Sequence, residues 1–332
     1  MQHGPHHLHV SELATHGLTH DHVRRRVRDG WLESLGNGSY LVVTPPTSEN
    51  PAAWRRELAR RRVAATLTAL PGAHARSTSA ALIHRLPTLH LPHRVEVARR
   101  AEIRSRRDAL DCRVAWGPPP EDVGGVFTQR VAETVVEVAA CHGAEAGLIV
   151  AGAALHRGLS HAQLCDALAL HDRRKGVNMA RVVVDLADAR VESPGESRLR
   201  WLCHTYWIAL EPQHSIRDET GHVFARADFR VAGTRVLIEF DGLGKYDSPR
   251  ALQAEKLRHL RLERLGYIVV RLTWPALRVQ PAAATRRARR CGWRAAASRA
   301  SGRRGRATRG RSRPNVRHSC ARRARARRTA TA

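Results

Sequence analysis

The chain has 332 residues, with 57 Lys or Arg against 30 Asp or Glu, a formal charge of +27. That balance points to nucleic acid as the partner, and the length allows two or three domains. No apolar run approaches the roughly eighteen residues of a membrane span, and the polar, His-rich start has no signal-peptide pattern, so no membrane role and a cytoplasmic location are expected.

The charge is unevenly spread. Eighteen of the Arg, and none of the acids, lie beyond residue 280. Residues 281–332 show no periodicity and few large apolar residues, a composition that predicts disorder. They read either as a non-specific nucleic-acid arm or as an out-of-frame extension of GC-rich DNA. Six cysteines (Cys112, Cys141, Cys165, Cys203, Cys291, Cys320) form no C-x-x-C pair and read as reduced thiols.

Residues 10–43 read as helix, turn, helix and hairpin. Ser11 is placed to cap a short helix over residues 12–16, which Gly17 ends. Thr19 caps a second helix running through Asp29, with Gly30 as its stop. On that helix Val23 and Val27 are four apart and are expected to face inward. Arg24, Arg25, Arg26 and Arg28 take the other faces. WLESLGNGSYLVV (31–43) gives two short strands about a Gly-Asn-Gly turn. This is the plan of a winged helix, whose second helix enters the major groove and whose hairpin touches the backbone, and it sets a DNA-binding domain at 8–46. The stretch resembles the N-terminal winged-helix domain of AbiEi-type antitoxins of type IV toxin–antitoxin systems. The resemblance implies DNA as a partner, with its own operator or a toxin as further candidates. The arginines would then mostly contact phosphate, making affinity salt-dependent. The other reading is a small helical cap with a solvated arginine face.

Residues 50–190 read as a mostly helical middle region. Asn50 and Pro51 suit the N-cap and first turn of a helix to about Leu70. A second helix starts at Ser77, RVEVA (94–98) alternates like a strand, and 116–125 form a loop. Helices follow at about 129–141, 145–156 and 160–171. No G-x-S-x-G, phosphate-binding Gly loop or H-E-x-x-H occurs here, so the expected role is support or partner binding.

The informative stretch is FARADFRVAGTRVLIEFDG (224–242), which alternates as a β-hairpin. Phe229, Val231, Val236, Ile238 and Phe240 have the parity of one sheet face, and Asp228, Glu239 and Asp241 that of the other. A tight turn at Gly233-Thr234 sets Asp228 opposite Glu239. Opposed carboxylates repel, but they suit a hard divalent cation between them. The alternative is a solvated face balanced by Arg226, Arg230 and Arg235. Of only three lysines (Lys175, Lys245, Lys256), two lie within fifteen residues of Asp241. Lysine is the more tunable cation in catalysis.

Glu196, Asp228, IEFDG (238–242), a helix carrying EKLRHLRLERLGY (255–267) and VVRLTW (269–274) together resemble the PD-(D/E)XK nuclease superfamily, and within it the very-short-patch-repair-like (Vsr-like) endonuclease domains. The resemblance covers residues 191–280 and stops near Leu277. It implies a restriction-endonuclease-like α/β/α domain with a mixed sheet, making the whole chain a multi-domain α+β protein. It also implies hydrolysis of DNA phosphodiester bonds with Mg²⁺ or Mn²⁺, held by Asp228 and Glu239 with Asp241 as a further ligand, and with Glu196 completing the site. The usual acid-x-Lys is here Glu239-Phe240-Asp241, so Lys245 or Lys256 would supply the ammonium. Lys256 and Arg258 are expected to face DNA, or else a solvated face paired with Glu255 and Glu263. Ser193 and Pro194 place Glu196 in a helical first turn, where the dipole favours an acid whatever the function. Two functions stay open: a metal-dependent endonuclease with a DNA-reading head, and a non-enzymatic DNA-binding regulator or antitoxin that keeps the nuclease fold as scaffold.

Overall fold

The computed structural model describes residues 7–13, 15–36, 38–43, 50–100, 109–241 and 249–279. Its helices and three sheets make the chain a multi-domain α+β protein. Two compact units divide at Leu186 and Ala187.

The first unit begins with strand β1 (His7–His9), helix α1 (His20–Arg28) and strands β2 (Leu32–Gly36) and β3 (Ser39–Val42). The three strands form an antiparallel sheet in the order β1-β3-β2. Thr19 starts α1 as read. Its hydroxyl accepts the His22 N–H, while His22 Nδ1 accepts the Thr19 N–H, so two orphan donors are satisfied reciprocally. Leu8, Leu13, Val23 and Leu32 make the core. Two expectations fail here. The first helix is a single 3₁₀ turn, Val10–Glu12, capped by His9 rather than Ser11. Val27 does not face inward: it is 37% exposed, because so small a sheet covers only the first turns of α1.

Helix α2 (Pro51–Thr68) is capped by Asn50, whose Oδ1 accepts from Ala52 and Ala53. Arg62 on α2 grips both oxygens of Glu33 on β2 at 2.7 Å. Next come β4 (His74–Ala75), α3 (Ser77–Ile83), β5 (Val95–Arg99), β6 (Leu110–Val114), β7 (Glu121–Asp122) and β8 (Phe127–Thr128). They build a sheet in the order β6-β5-β4-β8-β7. The middle region is mostly helical as read, but of this sheet only the strand at 94–98 was expected from the sequence. Three of its strands are two residues long, too short to show alternation. Helices α4 (Val131–His142), α5 (Ala144–His156), α6 (His161–Leu170) and α7 (Val177–Leu186) complete the unit. Between sheet and helices sits Arg76, 1% exposed. It donates to Glu137, to Asp111 and to the Val97 carbonyl, the pairing a buried charge requires.

The second unit contains α8 (Pro194–Thr205), β9 (Leu210–Arg217), β10 (Val223–Val231), β11 (Val236–Asp241), α9 (Pro249–Arg264), β12 (Ile268–Thr273) and α10 (Trp274–Val279). The sheet order is β12-β11-β10-β9, with β11 and β12 parallel across α9 and the other pairs antiparallel. Val236, Ile238 and Phe240 pack on Leu199 and Cys203 of α8 and Leu277 of α10. Leu237, of opposite parity, packs on Leu262 of α9. Helices therefore cover both faces of a mixed sheet. The hairpin has the register read from its alternation, with Phe229 opposite Ile238. Its turn sits one residue earlier than read. Thr234 N–H bonds the Val231 carbonyl, so Ala232-Gly233 is central, and Gly233 takes the left-handed φ of 70° that a side chain resists.

Cys112, Cys141 and Cys203 are free thiols.

Candidate functional site at the open end of the hairpin

Pairing between β10 and β11 runs through Phe229 and Ile238, and Asp228 stands where it ends. The core contacts of β10 change sides at this residue. Ala225 and Ala227 pack with Leu237 and Leu262, whereas Phe229 packs with Ile238 and Phe240. Opposite, on β9, Gln213 has a φ of 52°, a conformation that costs a non-glycine residue energy. The irregularity on both strands re-aims Asp228. Its Oδ2 accepts the backbone N–H of Phe240 at 2.7 Å, in place of a ladder carbonyl.

Glu196 reaches the same place from α8. Ser193 caps the helix and Pro194 fills its first position. The Ser193 hydroxyl donates to Glu196 Oε1 at 2.7 Å, while Glu192 N–H and Gln213 Nε2 donate to Oε2 at 3.1 and 3.2 Å. Gly195 permits the close approach. A Cβ there would lie 2.2 Å from Phe240 Cε1. Glu196 is 6% exposed. Burial holds its carboxyl above the usual carboxylate range, and the charge of Asp228 adds to the rise.

Glu239 points to the other side of β11. Both its oxygens accept from Arg258 on α9, Oε1 from Nη1 at 2.8 Å and Oε2 from Nη2 at 2.9 Å. Arg271 on β12 lies 3.5 Å from Oε2. Arg258 and Arg271 also meet Glu255. The two carboxylates hold the Arg258 guanidinium firmly protonated, with its hydrogen bonds to Glu255 the largest cause and those to Glu239 next. The same hydrogen bonds depress the Glu255 carboxyl. Arg258, read as a DNA contact, is thus committed to two acids. Lys256, two residues away and so on a different side of the helix, is exposed. Lys245 lies outside the described residues. Asp241 ends β11, its backbone paired with Thr273. Arg226, Arg230 and Arg235, the expected balance for the acids, bond instead to Glu192, Glu211 and the Leu265 carbonyl.

The structure therefore brings Glu196 and Asp228 together and gives Glu239 to an arginine clamp. Two neighbouring carboxylates, one buried and held above the usual range by burial and by the other's charge, suit a hard divalent cation. Glu239 does not suit one while Arg258 holds both its oxygens. Among the described residues, no group of three or more His, Cys, Asp and Glu side chains is arranged to hold a metal ion. Sequence reasoning missed Gln213 and Arg271. The first carries no charge pattern, and the second was visible only as part of an apolar strand.

The arginines of α1 form the other candidate surface. Arg24, Arg25, Arg26 and Arg28 are all exposed. The ion pair of Arg24 with Asp21, at 3.6 Å between well-solvated side chains, contributes little. Arg25, Arg26 and His16 border a cleft of about 690 Å³ with Trp31, which is 53% exposed. Cations beside an exposed indole fit phosphate contact and base stacking.

No protein-family model matches the chain. Two uncharacterised proteins of Mycobacterium tuberculosis, MT2308 of strain CDC 1551 / Oshkosh and Rv2248 of strain ATCC 25618 / H37Rv, are each 26% identical over 269 residues. The match covers 80% of this chain and 93% of each relative. Among solved structures, the RV2827C protein of M. tuberculosis aligns with a TM-score of 0.34 at 15% identity, over 67% of this chain and 83% of that one. A likeness that slight carries no conclusion.

Proposed function

We propose that the protein binds DNA through the arginine face of α1 and carries, at Asp228 and Glu196, a site for metal-dependent hydrolysis of DNA phosphodiester bonds. The observation that supports it is the convergence of two carboxylates from different elements at the point where β10 leaves β11. A structural sheet has no reason to gather like charges there. Asp228 and Glu196 would hold Mg²⁺ or Mn²⁺. Such an ion, when bound, polarises a phosphoryl oxygen and lowers the pKa of its water. Asp241 and Lys245, read from the sequence as a further ligand and cation, stay candidates for the same chemistry. Lys256 stands as a second candidate cation.

A second reading has its own observation. The bidentate clamp of Arg258 on Glu239 fills the place of the third acid, which fits a regulator or antitoxin that keeps the nuclease fold as scaffold and binds DNA without cutting it.

Plasmid nicking with Mg²⁺ or Mn²⁺ separates the two. On the first reading the wild type nicks DNA, while Asp228→Ala and Glu196→Gln reduce nicking at least about a hundredfold, the scale of one missing transition-state interaction. Metal-dependent nicking that survives both substitutions, or none in the wild type on single-stranded, nicked and duplex DNA, leaves the regulator standing.

A further inference from the structure

The first unit contains a cavity of about 590 Å³ that the site above does not use, within the size range of small-molecule pockets. Its polar groups fall into two classes. The acids on its wall are already committed. Glu96, 4% exposed, accepts the Thr78 N–H at 2.8 Å on one oxygen and contacts His142 Nε2 at 2.7 Å with the other. Asp111 is held by Arg76 and Arg113. The basic and imidazole side chains are not committed. His90, His93 and Arg94, all exposed, line the cavity on the segment leading into β5. Among the described residues no hydrogen bond or ion pair engages them.

His142 joins the two classes. Its Nε2 lies 2.7 Å from Glu96 Oε1, and that hydrogen bond raises the imidazole's proton affinity; the protonated ring carries a donor on each nitrogen. A buried carboxylate held against a histidine in this way fixes the ring's direction and favours its protonated, doubly donating form. Apolar Val138, Ala146 and Val150 form the rest of the lining.

We propose that this cavity binds an organic phosphate monoester of about nucleotide size, with the phosphate at His142, Arg94, His90 and His93 and the organic body against α4 and α5. A carboxylate, with two oxygens, would leave much of this donor set unmatched. Three phosphate oxygens meet it. A cationic ligand would find no free acid on the wall.

Isothermal titration of the full chain with AMP, adenosine and inorganic phosphate tests the assignment. AMP is expected to bind at least about tenfold more tightly than either fragment, because only it fills both halves. Arg94→Ala, an exposed change that leaves the fold intact, is expected to weaken AMP by about tenfold, and Thr88→Trp to block the cavity. Arg173→Ala, an exposed arginine beyond α6 that lines neither cavity, is the control for general attraction of anions to a basic protein and is expected to change nothing. The proposal is overturned if AMP shows no binding up to ~10 mM, or binds no better than inorganic phosphate. It is equally overturned if AMP is indifferent to Arg94→Ala and Thr88→Trp. None of these results bears on nicking by the other unit.

Discussion

Glu196 is both a first-turn acid of α8 and half of an acid pair, and its titration separates the two roles. The folded carboxyl titrates above its unfolded value, so its contribution to stability is fully present below the unfolded pKa and is lost as pH rises through the folded one. Glutamine cannot titrate. The melting temperature of Glu196→Gln relative to wild type is therefore expected to climb as pH goes from about 4 toward neutrality, followed by calorimetry. A difference that falls over that window would mean a carboxylate stabilised in its charged form. Added Mg²⁺ is expected to raise the wild-type melting temperature and to do so less in Asp228→Ala. Across the strand, Glu239 is 7% exposed and depends on Arg258. Arg258→Ala leaves a buried acid with only Arg271 nearby, at a cost of roughly 3 kcal/mol, to be read from the urea midpoint. An unchanged midpoint would show that Glu239 is hydrated instead. The acid types were plain from the sequence, but the shared face read for Asp228 and Glu239 was not kept, because the irregularity at Asp228 turns it away from Glu239. Their partners were not plain, because Arg258 lies nineteen positions from Glu239, and no local period marks which of 54 arginines turns inward.

At the scale of elements, two junctions matter most. The first is the seat of α8 on β11. A Cβ at Gly195 would meet Phe240 Cε1, Cζ and Cδ1 at 2.2–2.6 Å. That ring is also held edge-on by Trp274 at 5.2 Å, so it has little room to yield. Gly195→Ala is expected to cost about 1–3 kcal/mol by overpacking and to displace Glu196 from Asp228, weakening metal-dependent nicking if that activity is present. A variant as stable as wild type would show that α8 shifts freely on the sheet. The Ser-Pro-Gly-Glu start of α8 was readable from capping rules. The reason for glycine was not, since Phe240 is a tertiary neighbour. The second junction is α1, whose four arginines lie on the solvent side of a helix anchored by Val23. Replacing Arg24, Arg25, Arg26 and Arg28 by alanine is expected to lower the slope of log affinity for duplex DNA against log salt by ~0.9 for each phosphate no longer neutralised. A slope equal to wild type would remove α1 from the interface. Val27 was misjudged because helical spacing shows which residues share a face, not how far the sheet beneath extends.

For the whole molecule, each unit has its own buried clusters. Leu8, Val23 and Leu32, and separately Val63, Val97 and Leu82, serve the first, while Phe229, Ile238, Leu199 and Leu262 serve the second. Fragments ending at residue 186 and spanning 187–279 are expected to fold separately, each with a cooperative thermal transition. A fragment that stays unfolded by circular dichroism would show that its core is incomplete alone. The sequence by itself determined the order of α8, the hairpin, α9 and β12, the caps at Thr19, Asn50 and Ser193, and the hairpin register. All of these follow from periods and end signals within a few residues. Tertiary structure alone decided the five-stranded sheet of the first unit, the meeting of Glu196 with Asp228, the capture of Glu239 by Arg258 and the cavity beside His142. Each joins segments distant in the chain, and such contacts are selected by packing and charge compensation across the folded molecule rather than by any local pattern.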